Sequence, residues 1–311
     1  MRTPQEALDA IAARPDGAVV LPVLRAHPGA WLVGGVVRDA LLGRDPRELD
    51  VVVEGDPAPL LAALGGTLEN DYERFGVATV RIADGAPVDV VRARAETYAA
   101  PGALPDVRPG SLEDDLARRD VGVNAIALRA DGELRAAPGG LEDLEAGRLR
   151  VLHERSFDDD PTRIWRVARY AARLGFAIEP QTQGWAAQAD PSTVSGHRLG
   201  DELRLALREP DALAAFTAAQ TLNARLLPAG FDPAPARLAA ALALLPGDGR
   251  RDLVTLAACC GAVDAATLVA WLNDLEFPAG DRDVVAAGSR ASTYAPLHAA
   301  HSNSEVARAA R

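Results

Sequence analysis

Residues 31–55 constrain this chain more than any other stretch. Trp31-Leu-Val reads as a buried strand, Gly34-Gly35 turns it sharply, and helical spacing over about 35–42 runs to the stop at Gly43. A second strand follows at Leu49–Glu54, opened by the alternating acids Glu48 and Asp50. Side chains two apart on a strand share a face, so the two carboxylates are expected to project together.

The next 100 residues continue the same style. A helix is expected over Pro57–Leu64, and strands at 76–82 and Pro87–Arg92 flank a turn at 83–86. Two short helices, 5–14 and 18–26, precede the first strand. Residues 97–110 hold three prolines and two glycines and read as a loop. Ser111 and Asp114 form a capping-box pattern for a helix over Leu112–Arg119, and strands are expected at Asn124–Arg129 and Glu133–Arg135. The expectation is a small mixed sheet with helices on one side. From Asp160 the period becomes helical: Ile164, Val167, Ala168, Ala171, Ala172 and Leu174 form one stripe ending at Gly175. Further helices are expected near 182–189, 198–208, 211–226, 233–245, 250–258, 262–274 and 303–310.

Composition narrows the chemistry. All 33 basic residues are arginine, which excludes any mechanism that needs a lysine base, a lysine phosphate clamp or a Schiff base. A net charge of -11 argues against broad nonspecific nucleic-acid binding but permits a local basic groove. The two cysteines, Cys259 and Cys260, are adjacent and lack zinc spacing. No run of 18 apolar residues marks a membrane span and the first residues lack a secretory core, so a cytoplasmic, reducing location without a membrane partner is expected.

Paired acids on one strand suit divalent cations, which neutralise a triphosphate and lower the pKa of an attacking hydroxyl. Glu48 and Asp50 are the candidate ligands, and Asp89 completes the set if its strand lies alongside. Gly34 and Gly35 allow backbone N–H groups to approach an anion, with Arg38 one turn further on to brace it. Read alone, each feature also has a plain structural explanation; their order along 31–55 is what favours the phosphate site.

These segments resemble the class II tRNA nucleotidyltransferase and bacterial poly(A) polymerase family. Gly34-Gly-Val-Val-Arg-Asp-Ala-Leu-Leu-Gly43 is similar to its first signature, and Glu48-x-Asp50 stands at its Asp-x-Asp pair. Arg118-Arg-Asp-Val-Gly-Val-Asn-Ala125 resembles the signature Arg-Arg-Asp-Phe-Thr-Ile-Asn-Ala, and Asp159-Asp-Pro-Thr-Arg163 opens a segment like the neck helix. Two departures stand out: Glu48 replaces an aspartate, and Val121-Gly122 replaces Phe-Thr.

The resemblance implies an α+β fold: a nucleotidyltransferase head over 1–152, a helical neck over 153–210 and a shortened helical body and tail over 211–311. It implies addition of CCA to tRNA 3′ ends from CTP and ATP with Mg²⁺, or Mn²⁺ in its place. The alternatives are an A-adding enzyme working beside a separate CC-adding partner, and a non-catalytic RNA- or nucleotide-binding remnant. The full-length segment at 97–110 favours CCA or A addition over CC addition. By the same resemblance Arg119, Asp120 and Asn124 serve the nucleotide, and Asp159, Asp160 and Arg163 select the base, with Arg166 beside them. Arg169 and Arg173 extend that helix face toward the tRNA acceptor end; intrahelical or interdomain ion pairs are the competing use for them.

Overall fold

The computed structural model describes residues 1–46, 48–72, 77–82 and 86–290. The helix expected at 303–310, Gly76, and residues 83–85 of the expected turn lie outside these. The chain divides into two compact units, Met1–Asp159 with Phe176–Thr182, and Asp160–Gly175 with Gln183 onward.

The first unit is built on a seven-stranded sheet among the described residues. Its strands are β1 (Ala30–Val33), β2 (Leu49–Val53), β3 (Thr67–Tyr72), β4 (Val77–Arg81), β5 (Pro87–Arg92), β8 (Ile126–Leu128) and β9 (Leu134–Ala136), in the order β3-β4-β5-β2-β1-β8-β9. β1 runs antiparallel to β2, whereas β2 and β5 are parallel. The sheet is therefore mixed, as expected, and β3 is a strand the sequence patterning did not suggest.

Strand alternation sorts the core. Trp31, Val33 and Val52 pack with Leu112 and Leu116 of helix α5 (Leu112–Ala117). Leu32, Leu49, Val51, Val53, Val88 and Val90 point the other way and are equally buried. Helix α3 (Gly35–Leu41) lies against β1, β2 and β8. Apolar side chains are thus buried on both faces, which corrects the expectation of helices on one side. The remaining helices of this unit are α1 (Pro4–Ala12), α2 (Pro15–Arg25), α4 (Ala58–Leu64), α6 (Gly140–Ala146) and the single turn α7 (Ser156–Asp159).

The proline-rich stretch at 97–110 is not simply a loop. β6 (Arg94–Thr97) and β7 (Asp106–Pro109) form a separate antiparallel hairpin, with Glu96 opposite Val107. Pro101 and Pro105 fall in the connection and Pro109 ends its strand, so none interrupts a ladder between two neighbours. Segment 176–182 pairs back through β11 (Ala177–Ile178), parallel to β10 (Arg148–Leu149).

The second unit is helical. α8 (Thr162–Leu174) buries Ile164, Val167, Ala168 and Leu174 as the period required, with Ala171 and Ala172 half-buried. It packs against α10 (Gly196–Leu207) and α11 (Ala212–Leu222). A run of edge-to-face rings crosses this core: Trp165–Phe216 at 6.2 Å, Phe216–Phe231 at 5.3 Å and Phe231–Trp271 at 6.3 Å. The helix expected at 211–226 stops at Asn223, whose Nδ2 donates to the carbonyls of Ala186 at 2.8 Å and Ala189 at 2.9 Å. α9 (Pro180–Gln188), α12 (Leu238–Ala243), α13 (Arg251–Cys259), α14 (Ala265–Asp274) and α15 (Ala279–Ser289) complete the described helices; α15 was not anticipated.

Candidate active site

The end of β1 and the start of β2 lie side by side because the two strands are antiparallel. Gly34 follows β1 with φ 71° and ψ -126°, a conformation effectively restricted to glycine, and begins α3. A Cβ on Gly34 would stand 2.8 Å from Arg119 Nη1. The glycine therefore serves both the turn and the close approach of that guanidinium.

Glu48 is exposed immediately before β2, and Asp50 is half-buried on it. Asp50 and Asp89 are register partners across the parallel β2–β5 pair, so their side chains emerge on one face. Asp89 Oδ1 also accepts from Thr79 Oγ1 at 2.7 Å. Burial pushes the Asp50 carboxyl up to about 6, the Asp89 and Glu48 charges push it the same way, and Arg119 and Arg38 oppose the rise. Asp89 and Glu48 thus both oppose ionisation of Asp50 at the sheet end beside the Gly34 turn.

Among the described residues no group of three or more His, Cys, Asp or Glu side chains forms a ready metal cage. The donor set nevertheless suits Mg²⁺, which retains several waters and needs only one or two carboxylates plus substrate phosphates. Burial, and after it the charges of Asp89 and Glu48, penalise the ionised Asp50, and a bound cation would offset that penalty.

Arginines surround this anionic centre under tight control. Arg38 is buried; its Nε and Nη2 donate to Asp39 at 2.8 and 2.9 Å, and its Nη1 donates to Asn124 Oδ1 at 2.5 Å. Asn124 Nδ2 donates to Asp120 Oδ1 at 3.4 Å, and that oxygen also accepts the Val121 N–H at 2.9 Å. Arg119 Nη1 donates to the Asn124 carbonyl at 3.3 Å. Gly34, Arg38, Arg119, Asp120 and Asn124 therefore form one connected set in the first unit, and a Cβ on the adjacent Gly35 would stand 3.7 Å from Arg38 Nη2.

The sequence reading missed Asp115 and Glu96, which hold Arg118 and Arg119 from behind. The spacing Asp115–Arg118–Arg119, three and four residues along a helix, was the available signal. The unusual Val121-Gly122 pair is accommodated locally. Val121 is fully buried and bridges to Val151, and a Cβ on Gly122 would approach Asp143 Oδ2 to 3.2 Å.

In the second unit, Asp160 Oδ1 accepts from the Thr162 N–H at 3.1 Å and Oγ1 at 2.7 Å, and pairs with Arg198 at 2.9 Å. Arg163 is buried on the first turn of α8, and Arg166 Nη2 donates to the Tyr170 hydroxyl at 3.3 Å. Asp159 closes α7 in the first unit, 3.5 Å from Arg155. Arg169 pairs with Glu202 at 2.7 Å and Glu209 at 3.1 Å, and Arg173 also pairs with Glu209. Those two arginines, expected on the helix face turned to the tRNA, are engaged in ion pairs within the helical unit.

Residues 30–150 match the poly A polymerase head domain. A crystal structure of a tRNA nucleotidyltransferase complexed with a primer tRNA and an incoming ATP analogue superimposes with a TM-score of 0.68 at 30% identity, over 90% of this chain and 86% of that one. The chain belongs to the tRNA nucleotidyltransferase and poly(A) polymerase family.

Relatives within that family carry different specificities. The A-adding tRNA nucleotidyltransferase of Halalkalibacterium halodurans is 39% identical over 62% of this chain and 48% of its own length. The CC-adding enzyme of Deinococcus radiodurans is 37% identical over 64% of this chain and 59% of its own. The chain thus spans about half the length of these curated relatives. No helix among the described residues is long and apolar enough to cross a membrane.

Proposed function

We propose that this family member is a metal-dependent tRNA nucleotidyltransferase that adds CCA to tRNA 3′ ends from CTP and ATP. The observation that carries the reading is the meeting of Glu48, Asp50 and Asp89 charges beside the Gly34 turn, with Asp50 pushed up to about 6. Glu48 and Asp50, with Asp89 alongside, would hold Mg²⁺ or Mn²⁺; the cation supplies charge neutralisation at the triphosphate and activation of the attacking 3′ hydroxyl. The Gly34-Gly35 turn gives the triphosphate room at the backbone. Arg38 and Arg119 present positive charge where the reacting phosphate gains negative charge. Asp120 is suited to accept from a ribose hydroxyl, and Asn124 keeps Arg38 and Asp120 in register. Pyrophosphate leaves as the RNA grows by one nucleotide.

Base choice falls to Asp160, an acceptor just before α8, and Arg163, a donor on its first turn, assisted by Asp159 and Arg166. Cytosine and adenine share an exocyclic amine that a carboxylate can accept. A second reading, A addition after a separate CC-adding enzyme, is favoured by the similarity to the Halalkalibacterium halodurans enzyme. Sites for the tRNA acceptor end, and the cytoplasm as the place of action, belong to the same proposal.

Primer extension decides between them. Purified chain with Mg²⁺ is given tRNA transcripts ending before the first C, after one C or after CC, with CTP and ATP supplied separately. Stepwise CCA synthesis is expected; extension only of the CC-ended transcript by ATP selects the A-adding reading. No incorporation with any transcript rejects both and leaves the binding remnant. Glu48→Gln is expected to abolish incorporation, and Arg163→Ala to relax the choice between CTP and ATP.

A further inference from the structure

Asp115 is a carboxylate with no solvent exposure in the middle of the short helix α5, and it is shared by two cations. Its Oδ1 accepts from Arg118 Nε at 2.9 Å and Nη2 at 2.6 Å. Its Oδ2 accepts from Arg119 Nε at 3.2 Å and Nη2 at 2.9 Å. α5 ends at Ala117, so helical geometry no longer dictates where the Arg119 side chain goes. A long arginine side chain has much rotamer freedom, and a buried acid accepting two of its N–H groups is a strong way to remove it.

Arg118 is held from its other side as well. Glu96 on β6 accepts from Arg118 Nη1 at 3.2 Å and from Arg94 Nε at 2.9 Å, and its second oxygen accepts from the Tyr98 hydroxyl at 2.9 Å. Arg119, on the other side of Asp115, reaches the Gly34 turn: its Nη1 donates to the Asn124 carbonyl at 3.3 Å, and a Cβ on Gly34 would stand 2.8 Å from that nitrogen.

We propose that Asp115 is a positioning residue for nucleotide binding: it holds the Arg119 guanidinium back from Asp50 and keeps it aimed at the anion seated beside the Gly34 turn. This rests on the reading of that pocket as a nucleoside triphosphate site. Released from Asp115, Arg119 is drawn toward the carboxylates, where it competes with the divalent cation and no longer meets the nucleotide. Glu96 extends the same control to the β6–β7 hairpin through Arg118.

Equilibrium binding of ATP and of CTP to the full chain in Mg²⁺ tests this without requiring turnover. Asp115→Asn, nearly isosteric but uncharged, is expected to weaken binding roughly tenfold or more, the scale of one lost charged hydrogen-bonding partner. Arg119→Gln is expected to do the same. The decisive comparison is the double variant: with Arg119 already gone, Asp115→Asn adds no further loss of affinity. Independent, multiplying losses would overturn the proposal, as would an Asp115→Asn protein that melts earlier yet binds nucleotide like the wild type. Should Asp115→Asn not fold, Arg119→Gln alone still decides, because undiminished affinity there removes the group Asp115 is meant to aim. Wild-type protein that binds neither nucleotide overturns the pocket reading itself, and this proposal with it.

Discussion

Asp50 gathers the conflict at this site into one residue. Its carboxyl rises from 3.8 to about 6 because burial and two neighbouring acids penalise its charge. The folded protein therefore binds a proton there more tightly than the unfolded chain. Stability contributed by this group is fullest below about pH 4 and is lost as pH rises toward 6, leaving a cost of roughly 3 kcal/mol at neutral pH. Asp50→Asn removes that cost, so its melting temperature at pH 7.5 in chelator is expected to exceed the wild type's, with the gap closing near pH 4. Added Mg²⁺ is expected to stabilise the wild type and leave the variant unmoved, and the variant is expected to incorporate no nucleotide. Calorimetric melts across pH, with and without metal, check the signs together; a less stable variant in chelator contradicts the electrostatic account. Incorporation by the wild type should fall as pH drops through about 6, where protonation of Asp50 competes with the cation.

At the scale of elements, the β1–turn–α3 connection depends on Gly34. Gly34→Ala imposes a side chain at φ 71° and drives its Cβ to within 2.8 Å of Arg119 Nη1. The guanidinium can move, at the expense of its bond to the Asn124 carbonyl. A destabilisation of about 1–3 kcal/mol is expected in denaturant titration, together with weakened nucleotide binding. Wild-type affinity in a destabilised Gly34→Ala protein would separate the turn from the pocket. Much of this was legible in the sequence, because glycine pairs, capping boxes and apolar periods report local backbone demands. The capping box at Ser111 and Asp114 formed as its pattern required. What stayed hidden was long-range pairing. Nothing local in 97–110 announces that Asp106–Pro109 finds a partner strand, and nothing local places β5 beside β2 with Asp89 opposite Asp50. Asp115 was hidden differently: an acid near two arginines on a helix looks like a solvated surface pair until burial is known.

At the scale of the whole molecule, both units hold their arginines with buried acids, and the helical unit makes the energetics plain. Glu209 is almost completely enclosed; Arg169 and Arg173 both donate to it. Burial alone would raise its pKa, but the hydrogen bonds and charges of Arg173 and Arg169 outweigh burial and hold it below its usual 4.5. That pairing contributes stability above the unfolded pKa, and the contribution disappears as pH falls below 4.5. Glu209→Ala leaves Arg173 without this acceptor and Arg169 with Glu202 alone. A loss of about 3–5 kcal/mol is expected in the helical unit at pH 7, shrinking at low pH, where the wild type loses the same interaction. Held in these pairs, Arg169 is expected to act through packing: Arg169→Ala should lower thermal stability while leaving the salt dependence of tRNA binding unchanged. A shallower salt slope in Arg169→Ala would instead assign that guanidinium to the nucleic acid, with the pair to Glu202 and Glu209 giving way on binding.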